Sequence, residues 1–489
     1  MALFESILTL LLLAILLLQV SRRLGIPYPT MLAAAGLCVA ALPWAPEIAL
    51  DPHLVLVLFI APAILDAAYD FPVRAIKRYW LALFALAFVA VIVTTAAVAW
   101  VGVVFAGLPV AAAFALGAIV SPPDAAAAVA MLNRPSVPRT TATVLKGESL
   151  LNDATALMIF GFSVRLVYAD ASGGHVLAQL ALAVPGGILL GIVCGRVAGW
   201  AVPYLAGTLG SILFQFAVTF SVWLIADRLG LSAILAVVAT AMTAARYTGS
   251  ASARDRLHTN SIWSVAVFML NVLAFLFVGL QARAIVRELD PTELRHAVAF
   301  SFLVLGVVIV VRIVLVMAYN RAIQPVYRRL RYGPGPTIKQ GILASWCGMR
   351  GMVTLAAALA LPGDFPQRGL IVLASLTVVL GTLVVQGLTL EPLVRLLRFP
   401  KDTSQQDELA LARATLADVA ARARAESRGV DIHDDAGLRL AMVQHQRDAL
   451  RDLRGGNRIE EDVFRAIEQE LDLEEVAATR DRPFNLVDA

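Results

Sequence analysis

Charge is scarce in this chain. Of its 489 residues, the 76 that are Asp, Glu, Lys or Arg make up 16 %, while 59 % are hydrophobic. A soluble domain carries about 25 % charge and about 45–50 % apolar residues. The shortage is local. Residues 401–489 hold 13 basic and 20 acidic side chains, which leaves 27 basic and 16 acidic for the first 400. A single soluble globule is excluded. The net +4 does not signal nucleic-acid binding either, because the basic excess belongs to the apolar part.

Cysteine is nearly absent. Cys38, Cys194 and Cys347 lie far apart in apolar runs, without metal-ligand spacing, and read as small buried hydrophobes. Nothing in the sequence calls for a cofactor. The six histidines (His53, His175, His258, His296, His433, His445) fall in loops, at span ends or in the tail. That placement argues against a rhomboid-type serine protease, which needs a membrane histidine. Tyr69-Asp70 prompts an intramembrane aspartyl protease, but the second Asp in a Gly-x-Gly-Asp setting is missing. A cation channel is the nearer rival, although no carbonyl filter run such as Thr-Val-Gly-Tyr-Gly appears.

What is present is apolar length. Thirteen runs approach the roughly 20 residues that a helix needs to cross a bilayer. They cover about 3–20, 27–44, 53–70, 80–106, 109–132, 141–168, 176–202, 209–227, 231–246, 258–281, 297–319, 338–361 and 368–397. The first lacks a basic n-region and a small-residue cleavage site, so it reads as a span and not a signal peptide. Loops after odd-numbered spans are rich in Arg and Lys, from Arg22 and Arg23 through Arg74, Lys77 and Arg78 to Arg395, Arg398 and Lys401. Only the loop near Pro203 is an exception. The positive-inside rule places the N-terminus outside and the tail in the cytoplasm. The expected architecture is an all-α polytopic membrane protein, with a membrane domain over 1–398 and a helical cytosolic tail over 399–489. In the tail, segments near 406–427, 434–454 and 458–477 have the spacing of short amphipathic helices.

Ionisable groups inside spans are costly and mark a pathway or a site. Four acids qualify: Asp66, Asp124, Glu148 and Asp153. Arg312 and Arg350 also lie well inside, whereas Lys146, Arg165 and Arg196 are near enough to ends to snorkel. Helical rise puts Asp124, Asp153, Arg312 and Arg350 about 18–22 Å from their span starts, in the middle third of a core about 30 Å thick. Ser149, Asn152 and Asp153 are spaced i, i+3, i+4 and share a helix face, with Glu148 at its border. A carboxylate, a hydroxyl and an amide oxygen suit a hard monovalent cation, and the carboxylate can take a proton instead. Asn152 and Glu148 would also serve as interhelical glue.

Two spans carry breaks. Ser121-Pro122-Pro123-Asp124 removes two backbone donors in succession, and Gly348-Met349-Arg350-Gly351 is a second weak point at similar depth. Broken backbone in a membrane is tolerated where it is buried in protein or lines a cavity. Paired interrupted helices running in opposite directions, as inverted repeats require, point to a transporter binding site.

Ser121-Pro-Pro-Asp124, Gly147-Glu-Ser-Leu-Leu-Asn-Asp153, Trp346-Cys-Gly-Met-Arg-Gly351 and Gln386-Gly-Leu-Thr389 resemble motifs of the monovalent cation/proton antiporter family, in its Na⁺/H⁺ exchanger (NhaP-like) branch. The likeness covers about residues 1–398. It implies thirteen spans, a core domain of crossed discontinuous helices, a separate dimerisation domain, a homodimer and elevator-like alternating access in the cell membrane. It implies that Asp153 binds cation and proton, that Ser149 is a second ligand of the monovalent metal ion, and that Asn152 marks electroneutral one-for-one exchange. Glu148 is implied as the partner of Arg312, Asp124 as the crossover residue and Arg350 as a residue of the second broken helix. Asp66 stands where the family commonly has Glu. Two departures count. The crossover usually reads Thr-Asp-Pro, so at Pro123 only a backbone carbonyl remains to serve the ion. Arg312 is followed by Ile313 where proline is common. The first departure leaves Na⁺, K⁺ and Li⁺ open as the cation.

Overall fold

The computed structural model describes residues 2–24, 28–40, 54, 56–124, 137–168, 173–205, 208, 210–246, 252–287, 291–330, 335–400, 402–426 and 435–478. All of its regular structure there is helical. Helices α1 (Ala2–Leu24) and α2 (Tyr28–Ala40) are followed by a π-turn over Leu56–Ile60 and α3 (Ala61–Asp70). Then α4 (Val73–Phe84) runs through a second π-turn, Ala85–Val89, into α5 (Ala90–Ala106). Next come α6 (Val110–Val120), α7 (Arg139–Tyr168), α8 (Gly173–Leu205), α9 (Gly210–Arg228) and α10 (Ala233–Ala244). After these stand α11 (Ala253–Arg287), α12 (Pro291–Leu330), α13 (Ile338–Trp346), α14 (Met352–Leu359) and α15 (Arg368–Leu397). The tail contains α16 (Ser404–Glu426), α17 (Asp435–Gly455) and α18 (Glu461–Ala478).

By length and apolar composition, seven helices among the described residues can each cross a membrane, and shorter apolar helices such as α2, α6 and α10 stand beside them. The run read over 109–132 is helical only to Val120, and residues 125–136 lie outside the described residues. The run over 338–361 is two helices, not one. Helices α11 and α12 extend well past the apolar runs that mark them, because polar ends continue the helix after the hydrophobic stretch stops.

The chain divides into two compact units. The first comprises Met1–Gly195, Thr219–Met242 and Val267–Pro400. Its core is built from α5, α6, α12 and α15, with Val98, Leu116, Val304, Val308, Val379 and Leu383 all buried. Helices α5 and α6 form a tight hairpin. Gly107 adopts φ +60, which a side chain disfavours, and the Leu108 amide bonds the Gly102 carbonyl at 3.1 Å. The outer side of α5 exposes Ile92, Trp100, Val104 and Phe105, as a helix facing hydrocarbon does. Cys347 is buried, but Cys38 is exposed and Cys194 half-buried, so only one cysteine packs as a core residue. The other two lie in apolar helices, Cys38 uncovered and Cys194 only partly covered by the described residues.

The second unit comprises Arg196–Val218, Thr243–Ala266 and Lys401–Ala489. Its tail helices pack around Leu416, Val443, Leu450, Val463, Phe464 and Ile467. Asp472 on α18 is 3 % exposed and lies between two arginines. The Arg256 guanidinium donates from Nε to Oδ2 at 2.9 Å and from Nη2 to Oδ1, and Arg447 Nη2 bonds Oδ1 at 2.5 Å. Arg447 also reaches Glu475 at 2.7 Å. Buried charges persist only when paired in this way.

Candidate functional site

Helix α7 is unbroken for 30 residues and supplies the acidic part of the site. Glu148 and Asn152 are fully buried, Asp153 is 8 % exposed, and Ser149 is half-buried one turn before Asp153. Gly147 lets α7 close on Phe71 and Leu83, which a Cβ there would strike at 2.6 and 2.8 Å. Asp66 is half-buried on α3, which packs against α7.

The first break follows from its prolines. Helix α6 ends at Val120, and Ser121–Asp124 is non-helical. Pro122 has no amide to offer the Ala118 carbonyl, and the Ser121 hydroxyl donates to that carbonyl instead at 3.1 Å. The Pro123 carbonyl, freed from any helix, accepts from Asn152 Nδ2 at 2.8 Å. The second break separates α13 from α14. Helix α13 starts in a capping box, with Gln340 N donating to Thr337 Oγ1 and Thr337 N to Gln340 Oε1. It stops at Trp346, and α14 begins after Gly351.

The two breaks meet. The Asp124 amide donates to the Met349 carbonyl at 2.7 Å. Gly351 lies so close to Asp124 that a Cβ there would overlap Asp124 Oδ2. Arg350 completes the join. Its Nε donates to the Val120 carbonyl at 3.1 Å, its Nη2 to the Ser121 carbonyl at 3.2 Å, and its Nη1 to the Gly348 carbonyl. Its own amide donates to Thr382 Oγ1 on α15 at 3.0 Å. The guanidinium thus occupies the carbonyl end of α6, where a helix has unsatisfied acceptors and partial negative charge.

Arg312 on α12 faces Glu148 in a two-pronged pair, Nη1 to Oε1 at 2.5 Å and Nη2 to Oε2 at 3.1 Å. Nη2 also donates to the Ala344 carbonyl at 3.1 Å. Both partners are buried, the fork-to-fork geometry that makes such a pair strong. A side chain at Gly348 would overlap Arg312. Arg312 and Arg350 border a small cavity together with Thr94, Ser121 and Pro123.

Asp124, Glu148, Asn152, Asp153, Arg312, Arg350 and the Pro123 carbonyl are therefore brought to one crossing of helices. Asp153 and Asp124 are close enough for their charges to act on each other. Sequence reasoning missed Thr382, which holds the Arg350 amide, and Tyr28 on α2, which lies within electrostatic reach of Asp124 and packs its ring 5.7 Å from Phe268. Neither has a local signal, since one hydroxyl in an apolar helix looks like any other.

The family model described as sodium/hydrogen exchanger, transmembrane, matches residues 7–396. A Na(+)/H(+) exchanger of Mycobacterium tuberculosis is 30 % identical over 93 % of this chain and 92 % of that protein. The sodium, potassium, lithium and rubidium/H(+) antiporter of Bacillus subtilis is 29 % identical over 75 % of this chain and 57 % of its own length. Among solved structures, the sodium proton antiporter MjNhaP1 from Methanocaldococcus jannaschii superposes with a TM-score of 0.62 at 17 % identity, covering 82 % of this chain and all of that one. The fold is thus shared with an NhaP-type antiporter, and the chain belongs to the sodium/hydrogen exchanger family of multi-pass monovalent cation/proton antiporters, transporters and not enzymes.

Proposed function

We propose that this antiporter exchanges one Na⁺ for one proton across the cell membrane by alternating access, with Asp153 as the carboxylate that holds either ion. One observation carries the reading. Asp153 is a nearly buried carboxylate on α7, next to Asn152, whose amide is tied to the Pro123 carbonyl in the first helix break. A buried carboxylate needs a counter-charge, and among the described residues the two buried arginines at the crossing are engaged elsewhere. Arg312 is paired with Glu148, and Arg350 with the carbonyls at the end of α6. A cation or a proton is the partner left for Asp153.

Ser149, one turn from Asp153, and the Pro123 carbonyl provide further hard oxygens, and Asp124 sets the negative potential at the crossing. Glu148, Arg312 and Arg350 hold the frame, and Asp66 borders it from α3. Asn152 is neutral, so one carboxylate exchanging one cation for one proton moves no net charge. The motif resemblance supports thirteen spans in inverted repeats, a core and a dimerisation subdomain within 1–398, a homodimer, and a separate tail over 399–489. The basic loops support an outward N-terminus and a cytoplasmic tail.

K⁺/H⁺ exchange on the same fold is the second reading. The Bacillus subtilis relative's name includes potassium, lithium and rubidium, and Pro123 presents no side-chain oxygen to select a small ion. Purified protein in liposomes with a pH-sensitive dye, challenged with Na⁺, K⁺ and Li⁺ in turn, separates the two. Dequenching by Na⁺ at lower concentrations than by K⁺ supports the first reading. A K⁺ response with none to Na⁺ overturns it.

A further inference from the structure

Thr354, in the first turn of α14, is 1 % exposed, and among the described residues its Oγ1 has no hydrogen-bond partner. That is unusual for a hydroxyl inside a helix, which ordinarily donates to the carbonyl three or four residues back. Ser345, Ser375 and Thr382 all do so here, to Gly341, Ile371 and Val378. For Thr354 the corresponding carbonyls belong to Arg350 and Gly351, which lie in the second break. Gly351 is the N-cap of α14, with φ −137 and ψ −143, so its carbonyl already accepts the first intrahelical bond, and Arg350 before it is non-helical. The break thus takes the i−4 acceptor out of the helix, and the buried hydroxyl has no partner among the described residues.

The same geometry says where the hydroxyl is aimed. Side chains on a helix lean toward its N-terminus and cover the preceding turn. The turn before Thr354 is Gly351, which touches the Asp124 carboxylate. Helix α14 also packs against α6 and against α7, the helix of Asn152 and Asp153. A second buried oxygen at this crossing is likewise unpartnered. Asn152 Nδ2 is spent on Pro123, and Asn152 Oδ1 has no donor among the described residues. Two buried neutral oxygens without partners among the described residues, one next to Asp153 in the chain and one a turn after the Gly351–Asp124 contact, are a costly arrangement for a structure alone and a suitable one for a dehydrated cation.

We propose that Thr354 Oγ1 is a ligand of the transported cation, contributed by the second broken helix opposite Asn152 Oδ1 on α7. The inference rests on the reading that Asp153 binds that cation. A hydroxyl oxygen is a hard neutral donor, and it replaces one water of the ion's hydration shell. Smaller ions hold that shell more tightly, so removing the hydroxyl penalises Li⁺ most, Na⁺ next and K⁺ least.

The test is exchange in proteoliposomes by wild type, Thr354→Val, Thr354→Ser and Asp153→Asn, with Li⁺, Na⁺ and K⁺ titrated separately and each variant's thermal melt recorded. Thr354→Val keeps the branched shape and should raise the apparent KM for Na⁺ about five- to tenfold, as loss of one polar contact does. The rise should be larger for Li⁺ and smaller for K⁺, and Thr354→Ser should restore the Na⁺ value to within about twofold of wild type. If Thr354→Val melts below the assay temperature, Thr354→Ala takes its place. A well-folded variant with unchanged KM for all three ions overturns the proposal, as does a fall in maximal rate alone. Exchange by Asp153→Asn would instead overturn the underlying assignment, which keeps the two failures apart.

Discussion

Asn152 on α7 donates from Nδ2 to the carbonyl of Pro123 at 2.8 Å, so the helix that carries Asp153 is fastened to the backbone that the two prolines release. A carbonyl can only accept, and this fixes which end of the Asn152 amide faces it. The amide oxygen is then turned away, buried and unpaired among the described residues. One side chain both locks the first break and presents an oxygen.

Asn152→Ala should therefore act twice. Leaving the Pro123 carbonyl without its donor costs about 1–3 kcal/mol, read as a lower melting temperature in detergent. Exchange in liposomes should weaken as well. Wild-type melting and wild-type flux together would contradict this tie.

The Arg312–Glu148 pair predicts a larger stability loss. Removing one partner of a buried ion pair costs about 3–5 kcal/mol, because the other charge stays behind uncompensated. Arg312→Ala should melt well below wild type, and Arg312→Lys should recover part of the difference while losing the second prong. An Arg312→Ala protein that melts like wild type would refute the pairing.

Gly351→Ala isolates the crossing. The added methyl would overlap Asp124 Oδ2, and the neighbouring backbone is tied down by the Asp124–Met349 bond. The protein should insert and purify, yet its exchange rate should fall by about tenfold or more, as a misplacement of about 1 Å can cause. Unchanged flux would mean that the two breaks tolerate separation.

The tail has its own pH response. Burial is the main cause that holds Glu468 above its ordinary value of 4.5. Arg256 opposes the shift, Asp472 adds to it, and Arg454 and Arg465 again oppose it. A carboxyl that keeps its proton to higher pH when folded makes the folded state bind more protons than the unfolded one. Its contribution is present in full below the unfolded value and is lost as pH rises through the folded one. Protection of α18 against hydrogen exchange, corrected for intrinsic rates, should decline across that window in the full-length protein. Glu468→Gln should flatten the decline and leave α18 better protected at neutral pH. An identical pH dependence in the variant would contradict this.

Much of the fold was legible because hydropathy marks spans one at a time. The run read over 368–397 coincides with α15, and the three tail segments fall within a few residues of α16, α17 and α18. Pro122-Pro123 announced the first break because proline cannot donate. The far ends of α11 and α12 were not legible, since a helix continues through polar residues that hydropathy scores as loop. Neither were the π-turns at Leu56–Ile60 and Ala85–Val89. In the candidate site, the need of Arg312 for a counter-charge follows from depth alone. That Arg350 would reach the Val120 carbonyl, 230 residues away, does not. Backbone acceptors leave no trace in side-chain identity. The contact of Arg256 with Asp472 across 216 residues was hidden for a related reason, because each belongs to a segment that reads as ordinary charged surface.

The most direct test of the account is exchange by Asp153→Asn in liposomes, with insertion and melting verified first. If one carboxylate alternately holds the cation and the proton, the amide can hold neither productively. Na⁺- and K⁺-driven dequenching should then both disappear while the protein remains folded. Substantial proton-coupled cation flux from well-folded Asp153→Asn would contradict the single-carboxylate mechanism.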